Sequence, residues 1–231
     1  MTPITLAFDV YGTLIDTHGV AAKLRETVGG KADEFSRLWR DKQLEYSFRR
    51  GLMQRYENFA VCTKQALDYV CAFLDAPLTA DQKDELLALY RVLPAFDDVQ
   101  EGLSALSAND FHAYAFSNGA APAVETLLRN AGIRQHFLGV VSVDDVRSFK
   151  PNPAVYAHLL RKTGAGGDKA WMISSNPFDV IGAISAGMKA AWVRRSPTAV
   201  FDPWGVEPTL TVTDLRHVGR EISRIEGSEL R

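Results

Sequence analysis

The chain has 231 residues, 46% hydrophobic and 23% charged, with a formal net charge of -2. That length can bury a real core and that composition is ordinary for a globular protein. The near-neutral charge excludes electrostatic attraction to nucleic acid or to an anionic membrane, and there is no apolar run of about 18 residues to span a bilayer.

The N-terminus runs straight into a strand pattern, without a basic segment and a long apolar stretch, so no signal peptide is expected. Ile4, Leu6, Ala7 and Phe8 form an apolar run that ends on Asp9, and Gly12 allows a tight turn after it. Taken alone, Asp9 reads more readily as a turn cap than as a functional acid. Residues 16 to 93 then lose the strand signals. Phe35, Leu38, Trp39, Leu52 and Met53 fit one long amphipathic helix, Phe59, Leu67, Val70 and Leu74 a second, and Leu86, Leu87 and Tyr90 a third. Thr79 and Gln82 have capping-box spacing at the third helix's start, and Pro94 closes the segment. Cys62 and Cys71 fall in the second helix at a separation of about 13 Å along it, beyond disulfide reach. Two reduced thiols fit a cytoplasmic protein.

From Pro94 onward helix and strand alternate. A helix at 97–108 precedes a strand from His112 to Phe116 that ends at Ser117-Asn118-Gly119. A helix from Pro122 to Ala131, a strand from Phe137 to Val143 and a helix at 151–163 follow. The next strand, Ala170 to Ile173, ends at Ser174-Ser175-Asn176, and a helix at 178–187 comes after it. Strands at 190–193 and 209–212 and a helix from Asp214 finish the chain. This alternation implies an α/β fold, a Rossmann-like parallel sheet core with helices on both faces. Residues 1–15 and 94–231 form that core, and an all-helical insertion at 16–93 interrupts it.

Parallel strands bring their C-terminal ends to one edge, so Asp9, Ser117-Asn118 and Ser174-Ser175-Asn176 can converge on one crevice. Lys150, just before Pro151 and a helix start, joins them. Singly, each has an ordinary reading: turn residues for Ser117 and Asn118, a solvated lysine for Lys150, a helix-start acid favoured by the dipole for Asp179. Their joint placement points to a site.

The order Asp9-x-Tyr11-Gly12-Thr13-Leu14, then Ser117-Asn118-Gly119, then Lys150-Pro151, then Ser174-Ser175-Asn176-x-x-Asp179 resembles the haloacid dehalogenase superfamily. More narrowly it resembles the L-2-haloacid (type II) dehalogenases. The insertion strengthens the likeness: Leu38-Trp39-Arg40-Asp41-Lys42-Gln43-Leu44-Glu45-Tyr46-Ser47 and Arg55-Tyr56-Glu57-Asn58-Phe59 resemble that subfamily's cap-domain signature. The likeness runs from Thr5 to about Thr213. Superfamily phosphatases resemble one another in carrying a second Asp two residues after the nucleophile, as general acid and base. Here that position is Tyr11. Their last-motif Mg²⁺ carboxylate, aligned on Asp179, falls on Ser175, a neutral hydroxyl that suits a hard cation poorly. A halide leaves as a stable anion and needs neither group.

The resemblance therefore implies a hydrolase with an Asp9 nucleophile, an ester intermediate and no metal or other cofactor, acting on short L-2-haloalkanoic acids with inversion. Lys150 would keep Asp9 ionised and Thr13 would orient it. Ser117 would hold the substrate carboxylate. Asp179, with Ser174 and Asn176, would direct the hydrolytic water, and Tyr156 matches the family's tyrosine. Arg40, whose bland alternative is a helix-edge arginine with its stem along an apolar stripe, would receive the halide, since its charge is fixed and weakly hydrated. Asn118 and Phe178 would complete that cradle, with Val10, Tyr11, Leu44 and Phe59 as apolar walls. Asp41 adds a charge that either lies near the site or points to solvent. A homodimer through cap helices is implied by the likeness alone. The competing readings are a superfamily phosphohydrolase with atypical motifs and a catalytically silent binding protein on the same fold.

Overall fold

The computed structural model describes residues 3–106 and 111–228. Six parallel strands form one sheet in the order β3-β2-β1-β4-β5-β6: β1 Ile4–Phe8, β2 Phe111–Ser117, β3 Gly139–Ser142, β4 Ala170–Ser174, β5 Lys189–Val193 and β6 Leu210–Val212. Central β1 pairs with both β2 and β4. Its residues are buried on both faces, as a parallel sheet covered by helices requires. Successive side chains alternate between faces. Leu6, Phe8, Trp171 and Ile173 enter one apolar cluster, and Ala7, Phe116, Met172 and Ala190 the other. Helices α5 (Val99–Leu106), α6 (Ala121–Asn130), α7 (Pro153–Thr163), α8 (Pro177–Ser185) and α9 (Val218–Ser228) complete the sheet's layers. The last two positions of the helix expected at 97–108 lie outside the described residues.

Four helices, not the three expected, lie between β1 and α5: α1 His18–Val28, α2 Ala32–Leu52, α3 Phe59–Phe73 and α4 Ala80–Leu89. Sequence reading passed over α1, which buries only Val20 and Leu24 and has no side-chain N-cap bond. The capping box at Thr79 and Gln82 forms, and Asn58 caps α3 by accepting from the Val61 N–H at 3.1 Å. Leu52 and Met53 depart from the expected apolar stripe. The helix ends there, and they stand 85% and 61% exposed. Phe35 and Trp39 are fully buried, and the Trp39 indole N–H donates to the Thr63 carbonyl at 2.9 Å, locking α2 to α3. Both cysteines lie in α3, buried and unpaired with each other.

The chain enters and leaves this helical block side by side. Ile15 and Ala95 form an antiparallel bridge. The Asp16 N–H donates to the Pro94 carbonyl at 2.8 Å, and the Phe96 N–H to the Leu14 carbonyl at 3.0 Å.

Candidate active site

Asp9 stands one residue beyond β1, its N–H donating to the Ile173 carbonyl at 2.9 Å as the sheet ladder ends. The next residues curl back, with the Leu14 and Ile15 N–H groups on the Val10 carbonyl at 3.0 and 2.9 Å. Gly12 has φ +82, a conformation that side chains disfavour. This loop turns the Asp9 carboxylate toward the C-terminal edge of the sheet. There, β1, β2 and β4 deliver the three polar clusters beside the reversal of strand order.

The carboxylate is held at both oxygens. Its Oδ2 accepts from the Thr13 hydroxyl and from Asn176 Nδ2, both at 2.8 Å. Its Oδ1 accepts from Lys150 Nζ at 3.2 Å. Lys150 is only 1% exposed. Its Nζ also donates to Asp179 Oδ2 and to the Phe116 carbonyl, each at 2.8 Å, so its three N–H donors match three acceptors. It also sits 4.3 Å from the Phe116 ring centroid. Asp179 is fully buried, and its Oδ1 accepts from the Tyr156 hydroxyl at 2.8 Å. Burial lifts the Asp179 pKa. The Lys150 ammonium opposes that rise and the Asp9 charge adds to it. Burial also raises Tyr156 well above an ordinary phenol, as does the adjacent Asp179 charge.

Asn176 therefore touches Asp9 directly. Ser174 Oγ accepts from the Asn176 N–H at 3.1 Å and shapes the turn that aims Asn176. Ser117 is buried, with Oγ accepting from the Gly119 N–H at 3.0 Å. Asn118 Oδ1 takes the Lys150 N–H at 3.0 Å, a bond that leaves Nδ2 unused.

The residues from the helical block approach from the other side. Arg40 is half-buried on α2, with Nη1 donating to Gln43 Oε1 at 2.8 Å. Gln43 Nε2 in turn donates to the Thr63 hydroxyl at 2.6 Å. Burial pushes the Tyr11 and Tyr90 phenols up to about 12, with the Arg40 charge opposing the rise at both. Tyr11 packs edge-on to Tyr90 at 5.9 Å. Tyr11 and Phe59 line a cavity of about 630 Å³ between the block and the sheet edge. Phe178 packs edge-on to Phe48 of α2 at 5.1 Å. Leu44 is half-buried, and Val10 is fully buried in the cluster with Leu14 and Trp39, so Val10 acts as core packing instead of an open wall. Asp41 points to solvent, beside Arg37 at 3.5 Å.

Two features were not foreseen. Gln43, buried three residues after Arg40, orients the guanidinium; its i,i+3 spacing from Arg40 on one helix was the available signal. Arg195, beyond β5, donates from Nε and Nη2 to the Thr13 carbonyl at 3.2 and 2.5 Å. Its Nη1 grips both oxygens of Asp98 at 2.8 and 2.7 Å. Arg195 thus braces the Asp9 loop from behind. Arg195→Met is expected to lower kcat by about tenfold to a hundredfold through misplacement of the Asp9 loop, with a smaller change in KM. Steady-state turnover, with a thermal melt as fold control, checks this.

The residues do not fit a Mg²⁺ ion. Ser175 Oγ, at the position of the phosphatase carboxylate, donates to the Gly12 carbonyl at 2.8 Å, and Lys150 supplies the positive charge between the two carboxylates. Among the described residues no three His, Cys, Asp or Glu side chains are grouped to hold a metal.

A parallel sheet with strand-end acid, lysine and Ser-Asn clusters at one edge defines an α/β protein with its polar site at the reversal of strand order. A profile of the haloacid dehalogenase-like hydrolases matches residues 5–187, and the chain belongs to that family. It is 36% identical to the (S)-2-haloacid dehalogenase of Pseudomonas sp. strain YL, over 92% of this chain and 91% of that one. It is 35% identical to haloacetate dehalogenase H-2 of Moraxella sp. strain B, over 90% and 92%. Among solved structures, the L-2-haloacid dehalogenase from Xanthobacter autotrophicus with chloropropionic acid covalently bound superposes with a TM-score of 0.89 at 29% identity, covering 96% of this chain and 99% of that one.

Proposed function

We propose that this chain hydrolyses the carbon–halogen bond of short L-2-haloalkanoic acids, giving 2-hydroxy acids of inverted configuration through an ester on Asp9. The observation that carries the reading is a carboxylate oriented by Thr13 and Asn176 and charge-paired to Lys150, with Tyr11 where a phosphatase needs its acid. Residues 16–93 act as the cap domain over a core of residues 1–15 and 94–231.

Ser117 and neighbouring backbone N–H groups hold the substrate carboxylate. An Asp9 oxygen attacks carbon 2, forming a C–O bond as the carbon–halogen pair departs with the halide toward Arg40 and Asn118 Nδ2. Phe178, Tyr11, Leu44 and Phe59 keep this region apolar, which strengthens each charge interaction. Water then attacks the Asp9 carbonyl carbon, giving one proton to Asp179. The bond from the Asp9 carbonyl carbon to the ester oxygen breaks, the departing alkoxide takes the proton back from Asp179 and the second water proton passes to solvent, so the product hydroxyl keeps an original Asp9 oxygen and Asp9 retains the oxygen of water. Lys150 balances the negative charge throughout.

Halide release from L-2-chloropropionate in EDTA is the direct test. Turnover without metal is expected; hydrolysis of phosphate esters with Mg²⁺ and no halide release would replace this reading with the phosphohydrolase one. The raised pKa of Asp179 makes it a better proton acceptor. Ester hydrolysis proceeds when it is ionised and is lost as pH falls through its pKa, so the acid limb of kcat lies above the ordinary aspartate range. The Tyr156 hydroxyl stabilises the carboxylate form, so Tyr156→Phe is expected to move that limb to higher pH. A pH profile of halide release for both proteins checks the direction.

The reading includes a homodimer through the helical block, where Leu52, Met53 and Phe73 are exposed apolar groups for a second copy to cover, and light scattering tests it. A cytoplasmic location agrees with the two free cysteines. Among the described residues no helix is long and apolar enough to cross a membrane.

A further inference from the structure

The cavity between the helical block and the sheet edge adjoins the haloacid site at Tyr11 and Phe59, the apolar walls of the reading above. At about 630 Å³ the cavity falls in the range that encloses drug-sized ligands, far more than a three-carbon acid fills. Gly119 lines it as well. A Cβ on Gly119 would lie 3.1 Å from Val124 Cγ2, 3.4 Å from Ser117 Oγ and 3.7 Å from Tyr11 Cε2, so the bare glycine lets α6 pack close beside the hydroxyl assigned to the substrate carboxylate. Further walls are Val61 of α3, Leu87 and Ala88 of α4, and Ala120 and Ala123 at the start of α6. The small alanines face the groove from both sides and leave it wide. Charged groups, Lys64, Asp84 and Arg91, stand at its exposed rim.

We propose that this groove binds the alkyl chain of medium-length L-2-haloalkanoic acids, so that the enzyme favours them over the three-carbon acid. The inference rests on the haloacid reading and deepens it. With the carboxylate at Ser117 and the halogen toward Arg40, the remaining substituent on carbon 2 runs past Tyr11 into the groove. An apolar lining selects a chain by taking its methylenes out of water. Each methylene fully buried multiplies transition-state binding by about fourfold at most.

The test is kcat/KM for halide release from L-2-bromopropionate, L-2-bromohexanoate and L-2-bromooctanoate. A rise of about tenfold or more from the propionate to the hexanoate is expected. Ala88→Trp and Ala123→Trp, both at exposed positions outside the reacting centre, should erase that gain while turnover of the bromopropionate stays within about twofold. The bromopropionate rate of each variant also reports that it has folded. A series that is flat or falls with chain length in the wild type overturns the groove assignment, as does a gain that survives both tryptophans. Absence of halide from all three acids removes the haloacid reading itself, a result distinct from an active enzyme indifferent to chain length.

Discussion

Asp9→Asn is expected to lose halide release by about 10⁴-fold or more, as removal of a nucleophile does, while the fold stands. The substitution keeps an oxygen for the Thr13 and Asn176 donors and discharges one of two carboxylates that share Lys150. Relief of that like-charge contact offsets the lost bond to Nζ, so stability should change by only about 1 kcal/mol. Steady-state halide assay and a denaturant melt on the same preparation separate the two effects. Wild-type protein in a single turnover in ¹⁸O-water should carry the label on Asp9 before any product contains it. Label in the first product would rule out the ester.

Lys150→Met should lose activity and stability together. Lys150 is buried between Asp9 and Asp179, and its removal leaves two carboxylates without a cation. Breaking a buried pair in this way costs about 3–5 kcal/mol. The deficit should narrow at acid pH, because protonating the stranded carboxylates removes the charges that Lys150 had balanced. Adding Asp9→Asn to Lys150→Met should recover part of the stability and none of the activity. Urea melts across pH on the single and double variants measure both claims. A Lys150→Met protein as stable as the wild type at neutral pH would show that the triad is not charge-coupled.

What the sequence revealed follows from how local each signal is. The strand-helix alternation was legible because each buried strand carries its own apolar run, and the sheet followed from strands joined by helices. Asp9, Lys150 and Asp179 were legible because strand ends and helix starts carried them, and the fold needed only to bring one edge together. Helix α1 escaped because two buried residues and no N-cap bond leave little local signal. Leu52 and Met53 satisfied the helical period but lie where the helix ends and has nothing to pack against. Arg195 and Asp98 were out of reach for another reason: their pairing spans the fold between β5 and the exit from the helical block, and neither sits in a motif. Asn176 and Ser174 were found as site residues, but which neighbour each touches depended on turn geometry that residue types leave open.

The antiparallel doorway at Ile15 and Ala95 has an evolutionary consequence. Because the polypeptide departs and returns at adjacent points, the sheet's register does not depend on what lies between them, and such sites tolerate inserted or exchanged units. Arg40, Phe59 and Leu87, assigned to the halide and the alkyl chain in the proposed reading, sit beyond the doorway. Asp9, Lys150 and Asp179 sit inside it. Under that reading substrate preference can drift by substitution within this segment while Arg40 is kept, without disturbing Asp9, Lys150 and Asp179.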